Sequence, residues 1–153
     1  MEQGQSTSIL GPIIAFTMVA VFWVLSCYVA GIVSGWKKLG KRFKRGNEPT
    51  GETLTYGPWL TAMSSRYWMR YNNIVRLEAA QDGLYMSVIL PMRFGHPSLF
   101  LPWNEVSVKK VRHMLRSYVE LSLGNEEKIP FRIAVRGAEK LGLPARYPEL
   151  NQK

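Results

Sequence analysis

The chain has 153 residues, 46% hydrophobic and 20% charged, with a formal net charge of +9 from 20 Lys and Arg against 11 Asp and Glu. That length holds one compact domain plus an anchor and excludes two independent soluble domains, while the composition excludes a long disordered tail. A lone cysteine, Cys27, excludes an intrachain disulfide framework, and the basic excess directs attention to an anionic partner, either a membrane surface or nucleic acid.

Residues 1–8 are a short N-terminus. From Gln3 to Trp36 no residue is charged, and Ile9 to Val33 reads ILGPIIAFTMVAVFWVLSCYVAGIV. As a helix this run rises roughly 38 Å, against ~30 Å for a bilayer's hydrocarbon core, so a transmembrane helix is expected over residues 9–35. A buried soluble helix and a cleaved signal peptide are the alternatives. The second wants a positive n-region and a shorter apolar core, whereas this N-terminus carries Glu2 and no Lys or Arg. Pro12 is expected in the first turn, where its missing N–H costs nothing.

Along the helix, Cys27, Gly31 and Gly35 recur at four-residue spacing, with Ser26, Ala30 and Ser34 as a second small row beside them. Small residues let a second helix approach closely, so the first row is a candidate helix-packing seam, although Gly and Ala are common in such helices anyway. No Lys or Arg precedes the span, while Lys37, Lys38, Lys41, Arg42, Lys44 and Arg45 follow it. Basic residues beside a span stay in the cytoplasm, which puts the N-terminus outside and the C-terminal domain on the cytoplasmic face of an inner or plasma membrane.

Residues 36–58 read as a basic juxtamembrane segment and linker. Trp36, Leu39 and Phe43 fall at i, i+3 and i+7, so a helix would gather them on one face and the cations on the other. That is the pattern of a helix lying in the lipid interface, and it makes Trp36, Lys37, Lys38, Lys41, Arg42, Lys44 and Arg45 a candidate lipid-surface set. The plainer reading is a stop-transfer cluster. Gly35, Gly40 and Lys41 imitate a phosphate loop, but Arg42 stands where a metal-binding Ser or Thr belongs and a membrane span replaces the preceding strand. Residues 46–58, GNEPTGETLTYGP, have linker composition.

The soluble domain is expected over 59–145, followed by a tail over 146–153. Met63, Ser65, Tyr67 and Met69 alternate with Ser64, Arg66 and Arg70, and Val75, Leu77 and Ala79 with Arg76 and Glu78. Asp82-Gly83 turns the chain into a returning strand whose inner face is Leu84, Met86, Val88 and Leu90. After the loop PMRFGHPS come LFLPW and its continuation VSVKKVRHM. A second hairpin sets Val119, Leu121 and Leu123 against Ile129, Phe131, Ile133 and Val135, with Pro130 at an edge or a strand start. A short helix, RGAEKLGL, closes the domain. The expected fold class is thus an N-terminal transmembrane helix plus a mainly-β, α+β domain: a bent antiparallel sheet of six or seven strands with a short C-terminal helix.

This order resembles the pleckstrin-homology-like superfold, including its GRAM and bacterial relatives, and Leu99 to Val106, LFLPWNEV, resembles a step seen in such domains. The segments GWKKLGKRF, YNN and GLYMSVILPMRFGHPSLFLPWNEV are similar to those of a group of uncharacterised small bacterial single-pass membrane proteins. The resemblance implies the architecture and brings no catalytic residues.

The residues for chemistry are sparse. The lone Asp, Asp82, sits in a turn, and His96 and His113 are the only histidines, so neither a Ser-His-Asp triad nor a zinc site is expected, and no cofactor. The candidate partner loop is Arg93, Phe94, Gly95, His96 and Pro97, which joins a cation, an aromatic and a Gly turn; a bent turn closing the core is the plainer reading. Lys109, Lys110, Arg112 and Arg116 form either a basic patch or a solvated strand face. Stacking aromatics do not recur beside basic residues, so nucleic acid is not an expected partner. The expected function is a membrane-anchored, non-enzymatic interaction module for protein partners, with anionic lipid as a candidate co-ligand. An accessory subunit of a larger membrane complex is the alternative.

Overall fold

The computed structural model describes residues 6–46, 49, 51–57, 62–64, 70–113 and 116–151. The apolar run forms helix α1, Ser6–Val33, which is long and apolar enough to cross a membrane. Its large side chains point outward, Phe16 and Phe22 being 77% and 73% exposed. In water each would forgo the roughly 25 cal/mol per Å² that apolar burial returns. Pro12 lies in the second turn rather than the first, because the helix starts at Ser6.

Helix α2, Trp36–Arg42, follows after two residues. Gly35 makes the bend with φ +80°, a left-handed conformation that favours glycine. The backbone ladder is nearly continuous through it: Ser34 N–H donates to Ala30 C=O at 3.0 Å and Leu39 N–H to Gly35 C=O at 3.1 Å.

Among the described residues the strands are β1 Leu54–Tyr56, β2 Ala62–Ser64, β3 Arg70–Asn72, β4 Val75–Ala79, β5 Gly83–Val88, β6 Leu99–Pro102, β7 Val106–His113, β8 Arg116–Leu123 and β9 Ile129–Ala134. They form two antiparallel sheets, ordered β1-β4-β5-β6 and β3-β2-β9-β8-β7, in place of the single bent sheet of six or seven strands. A 3-10 turn, Trp103–Glu105, interrupts the expected continuation of LFLPW into VSVKKVRHM and carries the chain from one sheet to the other. Helices α3, Val135–Lys140, and α4, Leu143–Arg146, follow.

Period-two burial follows the apolar pattern in β4 and in β9, where Ile129, Phe131 and Ile133 are buried. The register Val108↔Leu121↔Phe131 aligns inward side chains across β7, β8 and β9. One residue along, Lys109↔Glu120↔Arg132 aligns charges, and the Glu120 carboxylate accepts from Lys109 Nζ and Arg132 Nε, each at 2.8 Å. Burial pushes the Glu120 carboxyl up, but those two partners together outweigh it and hold it below the ordinary carboxylate range.

Further expectations change. The linker contains β1, whose Tyr56 is buried and pairs with Leu77. The strand expected from Met63 to Arg70 is instead the two strands β2 and β3, antiparallel with Met63 opposite Tyr71; Ser65, Arg66, Tyr67 and Met69 lie outside the described residues. Leu90 is not on the inner face: β5 ends at Val88 and Leu90 is 73% exposed. Val135 begins α3 instead of extending β9, and the tail docks, with Leu150 buried and Tyr147 O–H donating to Val106 C=O at 2.9 Å.

Candidate functional site at the helix–domain junction

The face formed by Trp36, Leu39 and Phe43 is buried in the domain's hydrophobic core, Trp36 and Leu39 completely. This corrects the placement of Trp36 on lipid. The i, i+3, i+7 spacing specifies one apolar face but not whether lipid or protein covers it. Trp36 packs edge-on against Phe131 and against His96, with ring centroids 5.8 and 5.5 Å away. Its indole Nε1–H donates to Pro97 C=O at 2.7 Å, which satisfies the one polar group of a fully buried ring. Beyond α2 the chain lines the edge of β6: Phe100 N–H donates to Phe43 C=O at 2.8 Å, Arg45 N–H donates to Ser98 C=O at 2.8 Å, and Lys44 bridges Leu99.

The row expected to meet another helix meets the chain's own domain. Cys27 Sγ lies 3.9 Å from Met92 Sδ. A Cβ on Gly31 would stand 2.3 Å from the backbone oxygen of Gly95, and one on Gly35 would stand 2.7 Å from Ile129 Cδ1. Gly95 itself has φ +76°, and a Cβ there would come within 2.8 Å of Tyr28 Cα. Small residues do permit a close approach, but the approaching backbone is the loop between β5 and β6.

That loop carries the candidate partner residues, and they separate. His96 is buried, whereas Phe94 is 48% exposed and Arg93 is exposed, its guanidinium donating to Ser98 Oγ at 3.0 Å. His96 Nδ1 lies 3.1 Å from Phe94 C=O and so acts as donor, which leaves Nε2 to accept from the Tyr71 O–H at 2.9 Å. Burial pushes the imidazole below its ordinary value, against the opposing effect of backbone carbonyls at Phe94 and Met92. Burial also pushes the Tyr71 phenol up to about 12, despite a hydrogen bond with Ser34 that lowers it. Both groups are therefore neutral near pH 7, as a junction inside a hydrophobic core requires.

The basic residues divide too. Arg42 pairs with Glu105 at 2.9 Å, Glu126 at 3.1 Å and Glu127 at 3.5 Å, tying α2 to the turns before β7 and β9. Arg45 reaches Glu78 at 3.9 Å and lies over the Tyr85 ring. Lys37 lies over the Tyr28 ring, 4.1 Å from its centroid, and donates to its hydroxyl. Lys38, Lys41 and Lys44 are exposed. Of the strand cations, Lys109 is bonded to Glu120, while the side chain of Arg116 lies outside the described residues.

On the far side a cleft of about 380 Å³ is lined by Glu52, Leu54, Trp103, Leu141 and Arg146 among others. There the Arg146 guanidinium lies 4.3 Å over the Trp103 ring, whose N–H donates to Ala80 C=O. Comparison with protein-family models, curated proteins and solved structures gives no match for this chain.

Tyr71 and Met92 complete the junction with Pro97 of the candidate partner loop, and of these three only Pro97 stood out in the sequence. The YNN and PMRFGHPS segments around them have turn composition and carry no hint of contact with helices that lie far back in the chain.

Proposed function

We propose that this protein is a membrane-anchored, non-enzymatic interaction module. In this reading α1 crosses the inner or plasma membrane with its N-terminus outside, and a pleckstrin-homology-like β domain is presented at the cytoplasmic face to protein partners, with anionic lipid as co-ligand. The observation that carries it is the junction. A span that enters the core of the domain within three residues leaves no tether, so any surface the domain offers is held at a fixed height and orientation above the bilayer. Pre-set geometry of that kind serves recognition, since a rigid presenter loses less freedom on binding than a tethered one.

Two further features support the reading. The consecutive antiparallel runs β4-β5-β6 and β7-β8-β9, followed by short helices, suit a pleckstrin-homology-like domain. Lys38, Lys41 and Lys44 leave their charges outward beside the span, where each contributes about 1 kcal/mol near an anionic leaflet.

The test is extraction of the full chain in mild detergent, native sizing, and crosslinking in intact cells, together with a C-terminal alkaline phosphatase fusion. The module reading expects an inactive fusion, a protein that sizes alone, and crosslinks that form through the domain. A stoichiometric assembly that survives extraction would replace it with the accessory-subunit reading, and an active fusion would reverse the orientation.

A further inference from the structure

The loop between β5 and β6 lies beside the membrane helix, not above it. Met92 touches Cys27, and Gly95 packs on Tyr28 and Gly31. Cys27 is six residues, or about 9 Å of helix, inside the end of the apolar run at Val33. The run exceeds a ~30 Å hydrocarbon core by roughly 8 Å, so this last stretch falls at the boundary between headgroups and acyl chains. Tyr28 with Lys37 on its ring marks the same level, as aromatic and basic residues do at membrane interfaces.

The same loop exposes Leu90 at 73% and Phe94 at 48%, either side of the Met92 that touches Cys27. Its single charged side chain, Arg93, is tied to Ser98 Oγ, and the Ser98 carbonyl accepts from the Arg45 N–H. Exposed apolar side chains, a cation tied within the loop and a backbone pressed against the span together make a wedge.

We propose that Leu90 and Phe94 insert into the bilayer at its headgroup boundary, so that this loop is a second membrane contact clamping the domain against the surface. The inference rests on α1 being a membrane span. Its occupant is lipid, because Met92 and Gly95, which flank the exposed residues in the loop, pack directly on the helix whose outward side chains face lipid. Burial of ~5–10 Å into the boundary is the depth ordinary for such apolar contacts.

The experiment uses the full chain with Cys27→Ala, reconstituted into bilayers containing anionic lipid and spin-labelled singly at Leu90→Cys, Phe94→Cys, Phe22→Cys or Gln81→Cys. Collision with oxygen is compared with collision with a water-soluble nickel chelate. Phe22 reports the span, and Gln81 reports the opposite end of the β4–β5 hairpin, which is exposed. Because the four labelled positions are exposed, near-ultraviolet circular dichroism should show a native fold in each. The expected result is oxygen in excess of nickel at Phe22, Leu90 and Phe94, and nickel in excess at Gln81. If Phe22 lies in lipid while Leu90 and Phe94 resemble Gln81, the wedge is wrong and the span stands. If Phe22 is also in water, the membrane reading fails and takes the wedge with it. Labels at Leu90 and Phe94 that are shielded from both reagents would mean a protein contact covers the loop, which also overturns the proposal.

Discussion

Gly11 and Gly31 belong to one helix and face different surroundings. A Cβ on Gly11 meets nothing within 4 Å, while one on Gly31 would stand 2.3 Å from the backbone oxygen of Gly95, an atom that no rotamer change can move aside. Gly31→Ala should therefore cost the domain about 1–3 kcal/mol by overpacking, and Gly11→Ala should leave its unfolding unchanged. Thermal unfolding followed by near-ultraviolet circular dichroism in detergent compares the two, and equal midpoints would mean that the loop does not seat on α1. His96 gives a pH signature at the same place. Its folded value lies below the ordinary 6.5, so between those values the unfolded chain takes up a proton that the folded chain refuses. Stability is thus fully present above about pH 6.5 and is lost as pH falls through it, by at most ~1.4 kcal/mol per pH unit. The carboxyl of Glu120, also held low, acts only below its ordinary 4.5. Denaturant titrations from pH 7.5 to 5 should show the decline, and His96→Gln should flatten it; an unchanged slope in that variant would place the titration elsewhere.

Among the elements, α2 changes the domain's boundary. Trp36, Leu39, Phe43 and Tyr56 all precede residue 59, where linker composition ends, yet all four are buried in the core. At ~1.5–3 kcal/mol for each buried side chain, their removal takes roughly 6–12 kcal/mol from a domain whose total is about 5–15. A soluble fragment starting at Ser34 should fold, and one starting at Trp59 should not, as judged by cooperative urea unfolding. A cooperative transition in the shorter fragment would show the core to be complete without α2. What was legible in advance follows the reach of each signal. Alternation exposed β4, β5, β8 and β9 because it is local, and Asp82-Gly83 marked its hairpin for the same reason. The fate of Trp36, Leu39 and Phe43 was not legible, since an amphipathic stripe looks the same against lipid and against a sheet. The seam at Cys27, Gly31 and Gly35 was visible as a row of small residues, but what fills it is set by Met92, Gly95 and Ile129, far away in the chain. Tyr56 was missed because three strand residues set among Gly, Pro and Thr carry too little pattern to stand out from a linker.

For the whole molecule, the junction makes α1 and the β domain one covalent and packed unit. The apolar α1, the two-residue bend and the buried face of α2 leave no segment about which the domain swings, and Arg42 adds ion pairs from α2 to Glu105, Glu126 and Glu127. Those pairs are partly solvated and contribute less than about 1 kcal/mol each, so packing, not charge, holds the orientation. The same division leaves Lys38, Lys41 and Lys44 outward, while the exposed Leu90 and Phe94 extend the apolar surface of α1. Fixed presentation is the central claim, and amide hydrogen exchange of the full chain in lipid nanodiscs tests it most directly. The N–H groups of Leu39 and Phe43 bond to Gly35 and Leu39 carbonyls at 3.1 and 2.7 Å, in a helix whose inner face is core. They should exchange as slowly as the amides of Val119 and Leu121 in β8, opening only when the domain unfolds. Exchange at Leu39 and Phe43 orders of magnitude faster than in β8, with β8 still protected, would mean that α2 is a hinge and the domain a tethered one.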